Sequence, residues 1–239
     1  DGKKFKGGAT DEYSTRIIKA GTKAGFAVAV IDAFYKKPVK PTDKTIFPTA
    51  AEYAYNLRKL LLNDSRFDRN NFFYTGFSYG ASQVLKGIGT PYNEQHPNAW
   101  RAISSAEPAC NKIHQPIKLS FPVLIIKGEE SHYYVEPCQI LEKELLKTKS
   151  KVELVIIPNV NHFFSTNGTI TKGIAMNGCR YNPIIQMPDK TFKMYNGTPI
   201  SRKETITKCL TKESGSGKNR KKLDEAVNLT INFFKENLN

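Results

Sequence analysis

A serine stands at the centre of the sequence GFSYG at positions 76–80. A predicted strand, residues 71–77, runs into this motif, and a predicted helix, residues 81–88, runs out of it. A glycine–X–serine–X–glycine motif between a strand and a helix indicates a sharp turn that holds the serine hydroxyl above a sheet. Both glycines are expected to allow close approach of the backbone. Ser78 is therefore the candidate nucleophile, and the alternative is a serine in a glycine turn without chemistry.

A serine hydroxyl becomes a useful nucleophile only when a base takes its proton. In a parallel sheet the base is expected after the last strands, at the edge where their carboxyl ends meet. His162 follows the predicted strand 152–157 and is the expected base. His132 comes too early in the chain for that role, and we expect it to line the pocket.

A carboxylate is needed to orient the base, and the loop after the predicted strand 123–127 is the expected place for it. Glu129 and Glu130 both stand there, and the residues alone do not decide between them. An oxyanion hole requires two backbone donors. The first is expected from Tyr79, directly after the nucleophile, and the second from the glycine-containing residues 1–8.

The elements that must position these residues alternate along the chain as short apolar segments and amphipathic helical ones. Strands that are apolar on both faces are typical of parallel sheets covered by helices. The alternation predicts an α/β fold with a doubly wound, mostly parallel sheet flanked by helices. The remaining predicted strands are residues 26–32 and 100–105, and the remaining predicted helices are residues 11–19, 50–61, 135–149 and 224–238.

Residues 163–220 break the alternation, because they are rich in Asn, Gly, Thr and Lys. They are predicted to form an excursion over the surface. Since there is no internal repeat and no second apolar core, residues 1–239 are predicted to form a single domain.

The composition excludes several classes of protein. The formal charge is +14, from 36 basic and 22 acidic residues, but the basic residues are scattered and form no nucleic-acid motif. No apolar run approaches the roughly 18 residues of a membrane span. We therefore expect neither nucleic acid nor a membrane as a partner. The four cysteines permit either two disulfides or four thiols.

Four segments together resemble the dienelactone hydrolase family of α/β-hydrolases, and the likeness covers nearly the whole chain. They are residues 30–34 (VIDAF), 67–81 (through the GFSYG motif), 122–130 (PVLIIKGEE) and 158–164 (PNVNHFF). Several members of the family use a cysteine nucleophile, so Ser78 points to the serine branch. The resemblance implies hydrolysis of a small-molecule carboxylic ester or lactone through an acyl-serine intermediate, without a metal or organic cofactor. It leaves the oligomeric state open.

The sequence departs from the family pattern at the acid and at the amino terminus. The family usually has Asp three residues after the glycine of the acid strand, where this chain has Ser131. A one-residue deletion would place Glu130 there, so the resemblance favours Glu130 over Glu129. Gly2 stands where the family often has a glycine that supplies the second oxyanion donor. One strand of the family's sheet has no counterpart, so we expect native residues before Asp1, or a fragment.

The resemblance also implies disulfides Cys110–Cys138 and Cys179–Cys209, the second of which would bracket the excursion. Two disulfides would favour a periplasmic or secreted protein.

Tyr79 and Phe163 flank the proposed catalytic residues, and both are expected to line the substrate pocket together with His132. Two further interpretations stay open. The first is a peptidase or acyltransferase on the same fold, and the second is a non-catalytic binding protein on a hydrolase scaffold.

Overall fold

A computed structural model describes residues 11–35, 49–162, 169–216 and 219–239 of the chain. In chain order, its elements are α1 (Glu12–Lys23), α2 (Ala50–Leu61), β1 (Phe73–Phe77), α3 (Tyr79–Leu85), α4 (Tyr92–Gln95), β2 (Ala102–Ala106), β3 (Lys112–His114), β4 (Val123–Gly128), α5 (Glu136–Leu146), β5 (Val152–Ile157), β6 (Thr169–Ala175), β7 (Ile184–Gln186), β8 (Phe192–Met194), α6 (Arg202–Cys209), β9 (Thr211–Ser216) and α7 (Arg220–Glu236).

The central sheet has four strands in the order β1-β2-β4-β5, and all its neighbouring strands are parallel. This confirms the predicted α/β fold with a mostly parallel sheet. Phe77 at the end of β1 pairs with Ala106 at the end of β2, and Ala106 pairs with Ile126 of β4. Because the carboxyl ends are in register, the residues that follow β1, β2 and β4 meet at one edge of the sheet.

Helices cover both faces of this sheet, which explains why its strands are apolar on both faces. Alternate residues of β4 point in opposite directions. Ile125 packs with the core that includes α2, α3 and α5, whereas Leu124 and Ile126 pack with the core that includes α1 and α7. The buried apolar side chains of α7, from Leu223 to Phe234, pack against the sheet.

The prediction of a strand at residues 26–32 is wrong. The segment has no assigned strand structure and pairs with none of the strands among the described residues. Two of its apolar side chains, Phe26 and Val28, pack against a ring and a helix instead. The ring of Phe26 lies edge-on to that of Phe73 with centroids 5.5 Å apart, and Val28 lies against Gly21 of α1. None of residues 26–32 is fully buried, and Ala27, Ala29 and Val30 are exposed, so the apolar run indicated neither burial nor strand pairing here.

Within the predicted excursion, the described residues 169–216 carry further antiparallel pairs. Strand β6 pairs with β9 and β7 pairs with β8 in antiparallel fashion, and β7 also pairs in parallel with β3, which precedes the excursion. Both implied disulfides, Cys110–Cys138 and Cys179–Cys209, are present. In the described part of the chain, no helix has the length and apolar character needed to cross a membrane.

Candidate active site

The predicted strand–turn–helix around Ser78 is present. Ser78 lies between the last residue of β1 and the first of α3, with φ 54° and ψ −111°. A positive φ at a residue with a side chain is strained and is held here by the surrounding structure. The Ser78 N–H donates to the carbonyl of Ala106, 2.9 Å away, which ties the turn to β2.

The two glycines of the motif differ. A β-carbon at Gly76 would lie 2.5 Å from the carbonyl carbon of Gly80, so no larger residue fits there. A β-carbon at Gly80 would meet nothing within 4 Å. The expectation that Gly80 must also avoid a side-chain collision is therefore wrong, and only its backbone takes part in the close approach.

The structure brings Ser78 and His162 together. The hydroxyl of Ser78 lies 2.7 Å from Nε2 of His162, which is buried in the loop after β5. Nδ1 of the same ring lies 2.8 Å from Oε2 of Glu107. Because a carboxylate only accepts hydrogen bonds, Nδ1 carries the proton, and Nε2 is free to accept the proton of Ser78.

The carboxylate partner of His162 is Glu107 and not the expected Glu130. The side chains of Glu130 and Glu129 are exposed, and the Glu129 carboxylate accepts from the N–H of Asn159. Glu107 is the first residue after β2, and β2 lies between β1 and β4 in the sheet. A carboxylate from this central strand therefore reaches the imidazole, whereas the loop after β4 turns both its glutamates to solvent.

Four donors surround the fully buried carboxylate of Glu107. Oε2 accepts from His162, from the Lys127 ammonium at 3.0 Å and from the Ser131 hydroxyl at 2.8 Å, while Oε1 accepts from the N–H of Gly128. Burial raises the pKa of Glu107, but the charge of Lys127 and the bond from His162 outweigh it and hold the pKa at about 2. The carboxyl group is therefore ionised at neutral pH.

Sequence reasoning missed Glu107 and Lys127, although both left a signal. Glu107 follows the predicted strand 100–105 just as the glutamates that were considered follow theirs. Lys127 interrupts an otherwise apolar strand, and a buried ammonium requires a partner. Ser131, where the resemblance places the acid, donates its hydroxyl hydrogen to Glu107 instead.

A cleft of about 1460 Å³ opens at Ser78 and extends along β1. Tyr79, His132 and Tyr133 lie on its lining. The rings of His132 and Tyr133 stand edge-on to His162, with centroid distances of 4.7 and 5.0 Å. The other expected site residues, Phe163 and Gly2, lie outside the described residues.

Tyr79 is the first residue of α3, so its N–H is among those at a helix start that have no acceptor within the helix. Among the described residues, no group of three or more His, Cys, Asp or Glu side chains is arranged to hold a metal ion.

The layers, the sheet order and the serine at the strand–helix turn define an α/β-hydrolase fold. No protein-family model and no curated protein matches the sequence. Among solved structures, the dienelactone hydrolase-like promiscuous phosphotriesterase P91 from metagenomic libraries matches with a TM-score of 0.59 and 12% identity, over 95% of this chain and 81% of that one. At the level of the fold, this agrees with the resemblance to dienelactone hydrolases.

Other solved structures match over shorter stretches. Esterase PE8 matches with a TM-score of 0.38 and 24% identity, over 55% of this chain and 63% of that one. A Bacillus cereus carboxylesterase matches with a TM-score of 0.39 and 17% identity, over 47% of this chain. The match spans about half of that carboxylesterase, 51% of its chain.

Proposed function

We propose that the protein is a serine hydrolase that cleaves a small carboxylic ester or lactone through an acyl-serine intermediate. The observation that carries the proposal is the continuous contact from the Ser78 hydroxyl through the His162 ring to the buried Glu107 carboxylate. Two distances below 3 Å join a nucleophile, a base and an orienting acid in the order that acyl transfer requires.

In the acylation step, Oγ of Ser78 attacks the ester carbonyl carbon while Nε2 of His162 takes its proton. Glu107 stabilises the imidazolium that results. The N–H of Tyr79 and a second donor from residues 1–8, of which Gly2 is the candidate, would bind the oxyanion. The carbonyl re-forms as the bond to the leaving alkoxide breaks, and the alkoxide takes the proton from His162. In a lactone, the resulting alcohol stays attached to the acyl group.

In the deacylation step, a water molecule gives a proton to Nε2 of His162 and attacks the acyl-serine carbonyl. Collapse of the second tetrahedral intermediate breaks the bond to Oγ, and the proton returns from His162 to Ser78. The carboxylic acid is released and the enzyme is regenerated. Each step uses one proton carrier, which is why a single imidazole between the serine and the carboxylate suffices.

The surroundings of the site support a substrate with an apolar part. Tyr79, His132 and Tyr133 line the cleft beside Ser78, and Phe163 is proposed to join them because it follows the base directly. The two disulfides support a periplasmic or secreted location, where oxidising conditions preserve such bonds.

Fluorophosphonate labelling followed by peptide mass spectrometry tests the proposal directly. We expect one adduct, on Ser78, and hydrolysis of a short-chain p-nitrophenyl ester that Ser78→Ala abolishes. Ser82→Ala is the matched control, because Ser82 lies one helical turn further along α3 and lines the same cleft.

The same experiment discriminates the alternatives. No adduct and no turnover would support a binding protein on a hydrolase scaffold. An adduct on Ser78 combined with faster turnover of peptides, or with transfer to an added alcohol, would favour a peptidase or an acyltransferase.

A further inference from the structure

We propose that Lys127 is a positioning residue that keeps Glu107 ionised and aimed at His162, and thereby sets the pH at which His162 works as a base. The inference rests on the proposed function and concerns a residue that touches neither the nucleophile nor the base. It acts through Glu107, whose Oε2 atom accepts hydrogen bonds from both Lys127 and His162.

The contacts of Lys127 identify the charged form of its side chain. Nζ lies 3.0 Å from Oε2 of Glu107, 3.1 Å from the carbonyl of Pro108 and 3.0 Å from the hydroxyl of Ser131. An ammonium has three donors and meets three acceptors here, whereas a neutral amine would direct its lone pair at one of them. Burial lowers the pKa of Lys127, and the Glu107 carboxylate opposes this effect.

A purely structural ion pair is a weak explanation for this arrangement. Removing two charges from water costs more than a buried pair generally returns, and an apolar pair of similar volume would stabilise the fold as well or better. The side chains of Lys127 and Glu107 are both fully buried, at 0% exposure. We therefore expect the pair to have a role in the active site, because its carboxylate orients His162.

The other titratable groups around the pair do not replace Lys127. His132 and Tyr133 face the His162 ring, and Lys127 lies 5.7 Å from the centre of the Tyr133 ring. Glu213 of β9 is separated from His132 by Asn177, whose Nδ2 donates both to the Glu213 carboxylate and to the carbonyl of His132. Lys127 is therefore the cation in direct contact with Glu107 among the described residues, besides the imidazole when that is protonated.

The charge of Lys127 has a direct effect on proton uptake at the site. With the ammonium present, its positive charge offsets the negative charge of the Glu107 carboxylate. The carboxylate then favours protonation of the His162 ring only moderately. Without it, the lone buried carboxylate favours protonation of the His162–Glu107 pair as a unit, so the pair takes up its proton at a higher pH. The base is then blocked over part of the range in which the native site is active.

Lys127→Met tests the inference, with Lys151→Met as the matched control for loss of one positive charge at an exposed lysine. The first measurement is the pH dependence of the fluorophosphonate labelling rate at Ser78. We expect the acid limb to move up by roughly one unit or more in Lys127→Met, because loss of the nearby positive charge makes protonation of His162 easier, and to stay in place in Lys151→Met.

The second measurement is the titration of the His162 ring nitrogens by NMR, assigned with His162→Gln and independent of any activity. It should shift in the same direction. Lys127→Gln, which keeps a donor but no charge, carries the same test should Lys127→Met not fold, and it should show the same shift.

The outcomes separate this inference from the proposed function. Labelling of wild-type Ser78 with an unshifted limb and an unshifted His162 titration in the lysine variants would overturn the role of Lys127 alone. Absence of labelling in the wild type would overturn the proposed function, and a shifted His162 titration would still support the control of His162 by Lys127.

Discussion

The two sides of His162 are held by different parts of the molecule. On one side, Glu107 is fixed by donors from the loop and strand next to it in the central sheet. On the other side, Tyr133 stands against the imidazole, and the backbone around it is held by Asn177 from the excursion. This difference suggests that the sheet sets the chemistry of the site, while the excursion sets the shape of the pocket.

Asn177 holds the loop on both sides of Tyr133. Its Nδ2 donates to the carbonyl of His132, 2.7 Å away, and its Oδ1 accepts from the N–H of Tyr134 at 3.2 Å. The next residue, Gly178, lies so close to α6 that a β-carbon would come within 2.6 Å of the Lys208 carbonyl. Asn177 thus connects the excursion to the pocket wall.

Removing the acid should give the largest effect. We expect Glu107→Gln to lower kcat for a p-nitrophenyl ester by about 10³- to 10⁴-fold, because the amide no longer favours the required imidazole tautomer or stabilises the imidazolium. Glu130→Gln is the matched control and should retain wild-type kcat. An equal loss in Glu130→Gln would show that the loop after β4 supplies the acid in solution.

Glu107, the acid of the site, was not predicted from the sequence. The GFSYG turn, the position of His162 and both disulfides followed from local patterns and from the resemblance. The acid did not, because the strand end that reaches His162 depends on the sheet order β1-β2-β4-β5, which is a long-range property. The strand predicted at residues 26–32 was wrong for a related reason, because apolar character alone does not show whether a segment pairs with a neighbouring strand.

Low pH should destabilise the folded protein through protonation of Glu107 on the sheet side of the site. Its folded pKa of about 2 lies below the usual value of 4.5, so its contribution is complete above about pH 4.5 and is lost as the pH falls toward 2. The loss is on the order of 3 kcal/mol.

Urea unfolding between pH 6 and pH 2.5 measures this loss against the variant that combines Glu107→Gln with Lys127→Met, which has neither charge. The wild type should lose more stability than that variant across the window. Parallel curves would mean that other carboxyl groups account for the acid sensitivity.

Removing the Cys179–Cys209 disulfide should affect the excursion and leave the sheet side intact. The bridge joins residues separated by 30 positions, and cross-links of this span typically contribute about 3 kcal/mol. We expect Cys179→Ala with Cys209→Ala to make residues 169–216 more susceptible to limited proteolysis, while Ser78 keeps its fluorophosphonate labelling. Loss of labelling in step with proteolysis would show that the excursion also supports the catalytic residues.

Replacing Asn177 should produce the smallest effect and the most specific one. Asn177→Ala removes two hydrogen bonds to the loop around Tyr133 but none to Ser78, His162 or Glu107. We expect KM for the ester to rise by roughly tenfold, equivalent to about 1.4 kcal/mol and typical of the loss of one or two hydrogen bonds, with kcat within about threefold of the wild type.

Asn182→Ala is the matched control, because Asn182 lies in the same excursion and accepts from the N–H of Asn196, away from the loop. The comparison between the two sides of His162 depends on this separation of KM from kcat. If Asn177→Ala lowered kcat as strongly as Glu107→Gln does, the excursion would be orienting the base itself, and the division between a catalytic sheet side and a pocket-forming excursion would have to be abandoned.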